Sequence, residues 1–343
     1  MLRIRQERHL PKFLELDVPA LRHLAESAES YCEELLLHDP AKPTRDRRVL
    51  DVHGDLKRVQ RRIFKRIILP NLKPSDESFG GVRGRHIKMN AEQHLRSRFA
   101  FSCDITDFYP SIKHPRVYDF FVNAQECSPD VARLLTRLCT YRYHLALGLI
   151  TSPLLADQFL KSVDARIAKM AKARNLVYTR YVDDITISGA FDLARSGFPE
   201  TIKRILNTNG FATNNKKDQF GRVGDPEMLI TKLRINRGHI DVSRGYHDKL
   251  CVLLLNLKSL GQGRDFPSPY YTSAQVWGRI QFVSWVNRGR RPHLMNLYRA
   301  IPWKQVRKEA EARGLVVCKK TLRPIARVPL AACPPVQVSH CHG

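Results

Sequence analysis

Apolar residues in the first part of the chain recur at helical spacing. The segment 17–38 carries Leu21, Leu24 and Leu35 on one side, which predicts an amphipathic helix. The same period from Leu56 to Leu69 predicts a second helix, whose other side is rich in lysine and arginine. Further helices are predicted over Pro115–Ala124, Pro129–Tyr141, Pro153–Ala173 and Glu200–Asn209.

Short runs rich in β-branched and aromatic residues predict strands in the middle of the chain. The runs Leu176–Val182 and Ile185–Ser188 flank Asp183-Asp184, which is typical of a hairpin with a two-residue turn. Further strands are expected at Phe99–Cys103, around Met228–Ile235 and at Asp241–Val242. Helices and strands in this order predict an α+β fold built on an antiparallel sheet.

Beyond Arg244 the pattern is helical and stays basic as far as Lys320, with a loop at Gly261–Pro269. This change of pattern marks a domain boundary. No repeat with a period of about 20–50 residues is present, so a solenoid or a propeller is excluded.

The charge of the chain indicates its class of partner. Its 343 residues include 58 Lys and Arg against 33 Asp and Glu, a formal net charge of +25. Such a surplus favours polyanions, nucleic acid first and an anionic membrane surface second. The longest apolar runs, such as Leu250–Leu255, fall far short of the about 20 residues of a membrane span, and the N-terminal MLRIRQERHL lacks the apolar core of a signal peptide. We expect an intracellular protein with no membrane partner.

The eight cysteines form no C-x-x-C pair, so reduced thiols are expected rather than a disulfide framework. Cys333, His340, Cys341 and His342 could bind a metal ion, but they lack zinc-finger spacing, and a frayed terminus is the simpler interpretation.

Three aspartates lie where strands are predicted to end. Asp104 follows the strand Phe99–Cys103, and Asp183 and Asp184 lie at the tip of the hairpin. Carboxylates at strand ends of one sheet can converge on hard cations, as two-metal phosphoryl transfer requires. Adjacent aspartates in a turn are often only structural. Here the basic chain and the second acidic strand end favour a metal site.

These motifs resemble those of reverse transcriptases. Tyr181-Val182-Asp183-Asp184 is similar to their Y-x-D-D box, and the segment Asp104–Ile112 is similar to the motif that holds their first catalytic aspartate. Asn90-Ala91-Glu92-Gln93-His94 resembles the N-A-x-x-H element of retron enzymes. Supporting matches are Leu56-Lys57, Gln60-Arg61-Arg62, Thr151-Ser152-Pro153, Gly210-Phe211, Asn214, Lys217, Val283 and Val286-Asn287.

The resemblance implies a role for each matching residue. Asp104, Asp183 and Asp184 would be catalytic, and would bind two Mg²⁺ ions, or Mn²⁺ in their place, together with Ile105. Asp107, Phe108 and Tyr109 would line the triphosphate, with Tyr109 as the gate that excludes a 2′-hydroxyl, although Phe108 and Tyr109 could both be core residues. Arg47, Gly148 and Lys217 complete the nucleotide site, where ordinary solvated charge is the alternative for Arg47 and Lys217.

Nucleic-acid contacts are expected from Asn90 and His94, from Arg83 and Arg85 in the loop Phe79–Arg85, and from Arg288, Arg290 and Arg291. For His94, packing in the core is an equal alternative. The implied architecture is a right-hand polymerase. Its predicted parts are an N-terminal helical extension (1–38), fingers (39–98), a palm with inserted fingers helices (99–244), a helical thumb (245–320) and a C-terminal tail (321–343).

The chain departs from the family pattern at two places. Leu147 stands where these enzymes usually have a glutamine, and Ile230-Thr231-Lys232 replaces a V-T-G element. The expected function is DNA synthesis from dNTPs on a structured non-coding RNA, in bacterial cytoplasm and in antiphage defence. Template-independent or protein-guided synthesis is the alternative, as is an RNA-binding scaffold that assembles with an effector, a second polymerase or further copies of itself.

Overall fold

The computed structural model describes residues 2–38, 46–225, 228–236, 238–259, 270–314 and 321–324. The α-helices within these residues are α1 (Leu10–Leu14), α2 (Val18–Glu26), α3 (Gly54–Arg62), α4 (Leu69–Asn71), α5 (Ile87–Glu92), α6 (Phe108–Ser111), α7 (His114–Asp119), α8 (Pro129–Cys139), α9 (Ser152–Lys172), α10 (Phe198–Thr208), α11 (Arg244–Lys258), α12 (Ser273–Val286), α13 (Arg291–Arg299) and α14 (Trp303–Ala312). Two π-helical segments, Ile63–Ile68 and Phe120–Ala124, continue α3 and α7, and short 3₁₀ turns lie at Glu7–His9, Ala28–Tyr31, Leu193–Arg195, Asn215–Lys217 and Arg288–Arg290. None of these helices combines the length and the apolar character of a membrane span.

The strands form three antiparallel sheets. They are β1 (Cys32–His38), β2 (Arg47–Val52), β3 (Phe99–Asp104), β4 (Val177–Tyr181), β5 (Asp184–Gly189), β6 (Gln219–Arg222), β7 (Leu233–Asn236), β8 (His239–Val242) and β9 (Thr321–Pro324). The central sheet has the order β4-β5-β3-β6, a second has the order β2-β1-β9, and β7 and β8 form a hairpin. The molecule is therefore a mixed helix and sheet structure with antiparallel sheets, as the α+β prediction expects.

The predicted hairpin is present, with its turn one residue earlier than expected. Tyr181 pairs with Asp184, so the turn consists of Val182 and Asp183, and Asp184 is the first residue of β5. Val182 has φ +62°, a conformation that β-branched residues rarely adopt. Asp183 therefore lies in the turn and Asp184 in the strand, and the backbone directs their side chains differently.

The helix predicted over 17–38 is wrong in its second half. Helix α2 ends at Glu26, where Ser27 bonds back to the His23 carbonyl through its hydroxyl, and the chain then enters β1. Short polar side chains that bond to nearby backbone favour such a break. Strand β1 is held on both sides by β2 and β9, and pairing with such a distant segment is invisible to local periodicity.

Two buried apolar clusters stabilise the chain. The larger one includes the helices that pack on the central sheet, with Phe101 of β3 and Leu160 of α9 fully buried. The second one joins the hairpin β7-β8 to helices α11–α14 and to Ala91 of α5. Across it, Arg290 donates to the buried Asp241 carboxylate at 3.2 and 2.8 Å. The domain boundaries given above stay predictions, and the Cys/His segment from Cys333 onward lies outside the described residues.

Candidate active site

The central sheet brings the three predicted aspartates to one edge. Asp104, the last residue of β3, is the register partner of Asp184, the first residue of β5. The turn residue Asp183 lies beside them, and its carbonyl accepts a hydrogen bond from the Ile105 amide at 2.9 Å. All four residues line a cleft of about 1170 Å³. The predicted convergence of strand ends is therefore present.

Burial and mutual repulsion act on the ionisation of these carboxyl groups. Burial, followed by the neighbouring Asp104, raises the pKa of Asp183 above its usual range. Burial raises the pKa of Asp184 to about 6, although Ser102 donates a hydrogen bond to this carboxylate at 3.0 Å. Lys217 forms an ion pair with Asp104. The site therefore favours a nearby cation, which would offset the cost of holding several negative charges together.

The donor set fits a hard divalent cation. Carboxylate oxygens are the ligands that such ions prefer. The Lys217 ammonium already pairs with the Asp104 carboxylate, where it takes the place of a metal cation. In the part of the chain that the structure describes, no three Asp, Glu, His or Cys side chains converge closely enough to hold an ion as they stand. Asp104 and Asp183 lie next to each other, whereas the Asp184 carboxylate accepts the hydrogen bond from Ser102.

The segment after Asp104 divides between cleft and core. Tyr109 lines the cleft, half-buried, and burial, followed by the Asp183 charge, raises the pKa of its hydroxyl to about 12. The neighbouring Phe108 reaches the cleft wall but is 5% exposed and packs near Phe211, with ring centroids 6.0 Å apart. Asp107 is exposed in a left-handed conformation at the start of α6. Phe108 is thus mainly a core residue, and Tyr109 presents the accessible ring.

The basic residues predicted around the nucleotide also line the cleft. Arg47, at the exposed start of β2, lines the cleft together with Arg48. Lys217 does so from the 3₁₀ turn after α10. A triphosphate in the cleft would therefore have cationic groups on two sides.

Gly148 lies beside the cleft and packs closely on β2. It is not among the cleft-lining residues, and a β-carbon on it would lie 1.9 Å from the Leu50 carbonyl oxygen. Its neighbour Leu147 lines the cleft with a 45% exposed side chain, and the Leu147 carbonyl accepts from the Leu50 amide at 2.8 Å. The glycine is required for close approach to β2, and its predicted nucleotide contact stays a prediction.

Asn90 and His94 are buried, contrary to the predicted RNA contact. Their exposures are 1% and 0%. His94 bonds to Ser188 at 2.6 Å and to Thr179 at 2.8 Å, and burial lowers its pKa to about 3. Neither side chain can reach a nucleic acid from this position. For His94 the alternative of core packing is the correct one.

The predicted nucleic-acid arginines divide into exposed and structural groups. Arg83, Arg288 and Arg291 are exposed. Arg85 instead donates through Nη1 to the carbonyls of Ser75, Asp76 and Ser78 at 2.8, 2.9 and 2.5 Å, which fixes its own loop. Arg290, bonded to Asp241, anchors the C-terminal helices to β8 as described above.

The basic side of α3 has a structural role that the sequence did not suggest. Arg62 donates to the Leu14 carbonyl at 2.7 Å, Arg66 donates to the Phe13 carbonyl at 3.0 Å, and both pair with Glu15. This part of the positive charge therefore holds the N-terminal segment.

Sequence reasoning also missed several polar residues of the cleft. Glu34 and Arg142 line it as an ion pair at 2.8 Å. The Tyr141 hydroxyl donates to the same glutamate at 3.2 Å. No sequence signal marks them, because Glu34 lies in the mispredicted strand β1 and the pairing spans more than one hundred residues.

The sequence of this chain is similar to those of known proteins. The profile of the family described as reverse transcriptase (RNA-dependent DNA polymerase) matches residues 41–247. The retron Ec86 reverse transcriptase of Escherichia coli is 28% identical over 235 residues, which cover 68% of this chain and 72% of the relative. The retron Se72 reverse transcriptase of Salmonella heidelberg (strain 579083-10) is 28% identical over 246 residues, covering 70% of this chain and 64% of the relative.

The profile match includes both acidic strand ends and most of the cleft. Members of this family generally use divalent metal ions, in agreement with the carboxylates at the sheet edge. The chain therefore belongs to the reverse transcriptase (RNA-dependent DNA polymerase) family, as a retron-type member.

Proposed function

We propose that this protein synthesises DNA on a dedicated non-coding RNA by two-metal nucleotidyl transfer. The observation that carries the proposal is the meeting of Asp104, Asp183 and Asp184 at one sheet edge, inside a cleft that basic residues also line. Asp104, Asp183, Asp184 and the Ile105 backbone would hold two Mg²⁺ ions, or Mn²⁺. Such ions would activate the attacking 3′-hydroxyl and stabilise charge on the phosphates.

The chain's own residues would orient the reactants. Arg47 would hold the triphosphate from the fingers side. Lys217, which is already beside Asp104, would stabilise or protonate the departing pyrophosphate. The exposed arginines Arg83, Arg288 and Arg291 would hold the backbone of template and product through sequence-independent phosphate contacts.

Tyr109 would select the sugar. Its ring lies in the cleft near Asp183, backed by the buried Phe108 with ring centroids 5.4 Å apart. A ring supported in this way cannot easily move away from a 2′-hydroxyl. This contact would therefore disfavour ribonucleotides.

The wider role belongs to the same proposal. The relatives are named as retron reverse transcriptases, which supports an RNA template and a DNA product. We further propose that the RNA is structured, that the protein acts in the bacterial cytoplasm in antiphage defence, and that its partners are an effector protein or further copies of this chain. Leu147 in the cleft favours a second candidate, synthesis without a template or guided by protein, because leucine offers no amide to a nucleotide.

One assay separates these possibilities. Protein purified with its RNA should incorporate labelled dNTPs when Mg²⁺ is added, and Asp183→Ala/Asp184→Ala should abolish incorporation. Incorporation unchanged in that variant contradicts the enzymatic proposal and leaves the RNA-binding scaffold. Loss of incorporation after RNase treatment supports RNA templating, whereas persistence favours the template-independent candidate.

A further inference from the structure

A buried ion network lies directly behind the turn that carries Asp183. Arg180 of β4 is 1% exposed, although it is charged. Its Nε donates to the two Asp164 oxygens at 3.0 and 3.1 Å, and its Nη2 donates to Asp164 at 2.6 Å and to Asp157 at 2.7 Å. The two aspartates are seven residues apart on α9, which places them on one face of the helix.

The two carboxylates are themselves held by further donors. The Tyr178 hydroxyl donates to Asp164 at 2.7 Å, and the Ser75 amide donates to Asp157 at 2.8 Å. The network thus joins α9, β4 and the segment before the glycine-rich loop. The orientation of the network is therefore fixed by these three segments.

The remaining guanidinium nitrogen of Arg180 points at the turn. Nη1 donates to the Val182 carbonyl at 2.9 Å, and this carbonyl belongs to the peptide unit that leads into Asp183. Val182 is in a left-handed conformation, which is strained for a β-branched residue and persists only where the surroundings enforce it. A hydrogen bond to this carbonyl opposes rotation of the Val182–Asp183 peptide plane.

A glycine completes the support from the other side. A β-carbon on Gly80 would lie 2.4 Å from the Val182 nitrogen, so the loop backbone packs directly on the turn. The Phe79 amide donates to the Arg180 carbonyl at 2.8 Å, and the Arg180 amide donates to the Glu77 carbonyl at 2.9 Å. The loop is thereby attached to β4 next to the turn.

We propose that Arg180 is a positioning residue for Asp183, and that Asp157 and Asp164 aim its guanidinium at the Val182 carbonyl. This inference rests on the proposed function, since it assumes that Asp183 takes part in DNA synthesis. The alternative is an ion pair that serves only folding. A buried pair of that kind is a weak source of stability compared with apolar residues of similar size, whereas the hydrogen bond to the Val182 carbonyl links this pair directly to the turn that carries Asp183.

The decisive variant is Arg180→Lys. It keeps one positive charge near the aspartates, but a single ammonium cannot bridge Asp157, Asp164 and the Val182 carbonyl together. We expect kcat to fall about 10–100-fold, as for a small misplacement of a reacting group, with the KM for dNTP within about twofold. Mn²⁺ binding to the resting protein, measured by electron paramagnetic resonance without turnover, should weaken about tenfold.

Tyr178→Phe is the matched control. It removes one hydrogen bond to Asp164 but leaves in place every hydrogen bond of the Arg180 guanidinium, including the one to the Val182 carbonyl. It should lower the midpoint of thermal unfolding slightly and leave kcat and Mn²⁺ affinity of the folded protein within about twofold of the wild type.

Two results would overturn the inference. One is an Arg180→Lys protein with kcat and Mn²⁺ affinity close to the wild type. The other is an equal loss of kcat in both variants, which would indicate a general effect of stability. If Arg180→Lys does not fold, Asp157→Asn, which retains an acceptor for Nη2 but loosens the guanidinium, decides by the same criteria. Asp183→Asn separates the two proposals, because incorporation unaffected by that change refutes the proposed function itself.

Discussion

The replacement of Gly148 by alanine tests whether the loop before α9 depends on close approach to β2. Gly148 has φ +117°, and a β-carbon there would lie 1.9 Å from the Leu50 carbonyl oxygen and 2.8 Å from its carbon. Backbone atoms cannot turn aside as a flexible side chain can. The loop must therefore shift, and the hydrogen bond from the Leu50 amide to the Leu147 carbonyl must lengthen or break.

The expected cost has two parts. A non-glycine residue in this backbone conformation costs about 1–3 kcal/mol, and forcing an atom into filled space costs about 1–3 kcal/mol more. Gly148→Ala should therefore lower the free energy of unfolding by about 2–6 kcal/mol. Gly197→Ala is the control, because Gly197 has φ +65° but nothing within 4 Å of a β-carbon, so only a left-handed cost of about 1–2 kcal/mol applies.

The assay is urea unfolding followed by far-ultraviolet circular dichroism. Tryptophan fluorescence is unsuitable, because it would report on helices α12 and α14 and not on the loop before α9. The chain has three tryptophans, Trp277, Trp285 and Trp303, and all lie on those two helices. Hydrogen exchange of peptides containing Leu50 supplies a local measurement, and its protection should fall in Gly148→Ala alone. Equal destabilisation by the two substitutions, with unchanged protection at Leu50, would refute the argument from close approach.

Two further predictions follow from the site and from the interior. Tyr109→Ala should reduce the preference for dNTPs over ribonucleotides about tenfold or more in competition assays, equivalent to about 1.4 kcal/mol, whereas Tyr109→Phe keeps the ring and should keep the preference. Because burial lowers the pKa of His94 to about 3 while the unfolded chain has about 6.5, the unfolded state binds more protons between these values. The contribution of His94 to the free energy of unfolding should therefore fall by about 2 kcal/mol from pH 7 to pH 5. The variant His94→Gln should show a correspondingly flatter pH dependence in urea titrations.

The sequence predicts best what is decided locally. Alternation of β-branched residues around Asp183 and Asp184 is sufficient to place the hairpin, because strand period and turn chemistry act within about ten residues. The position of Asp104 at the end of β3 is predicted by the same kind of local strand pattern. Family resemblance then assigns the chemistry, and the register of β3 with β5 agrees with it.

Features that depend on distant partners are beyond this reasoning. Strand β1 looks helical because Leu35 fits a helical period, whereas pairing with β2 on one side and with β9, near the other end of the chain, on the other side makes it a strand. His94 looks like a polar ligand until Thr179 and Ser188 surround it. The close packing of Gly148 on the Leu50 backbone is likewise invisible in the sequence, because it joins two segments about one hundred residues apart.

The local charge at the turn differs in sign from the charge of the whole chain. With Asp104, Asp183 and Asp184 ionised, the three carboxylates at the sheet edge outnumber the single Lys217 ammonium beside them. Behind them, two aspartates face the single Arg180 guanidinium, so this network is also negative. Buried charges interact in a medium of low dielectric, so neighbouring solvent screens them little. The network thus orients the turn and also makes the site more negative. In a chain of net charge +25, this local negative region favours cations, which under the proposed function would neutralise the phosphates of a nucleic acid held by the surrounding basic surface.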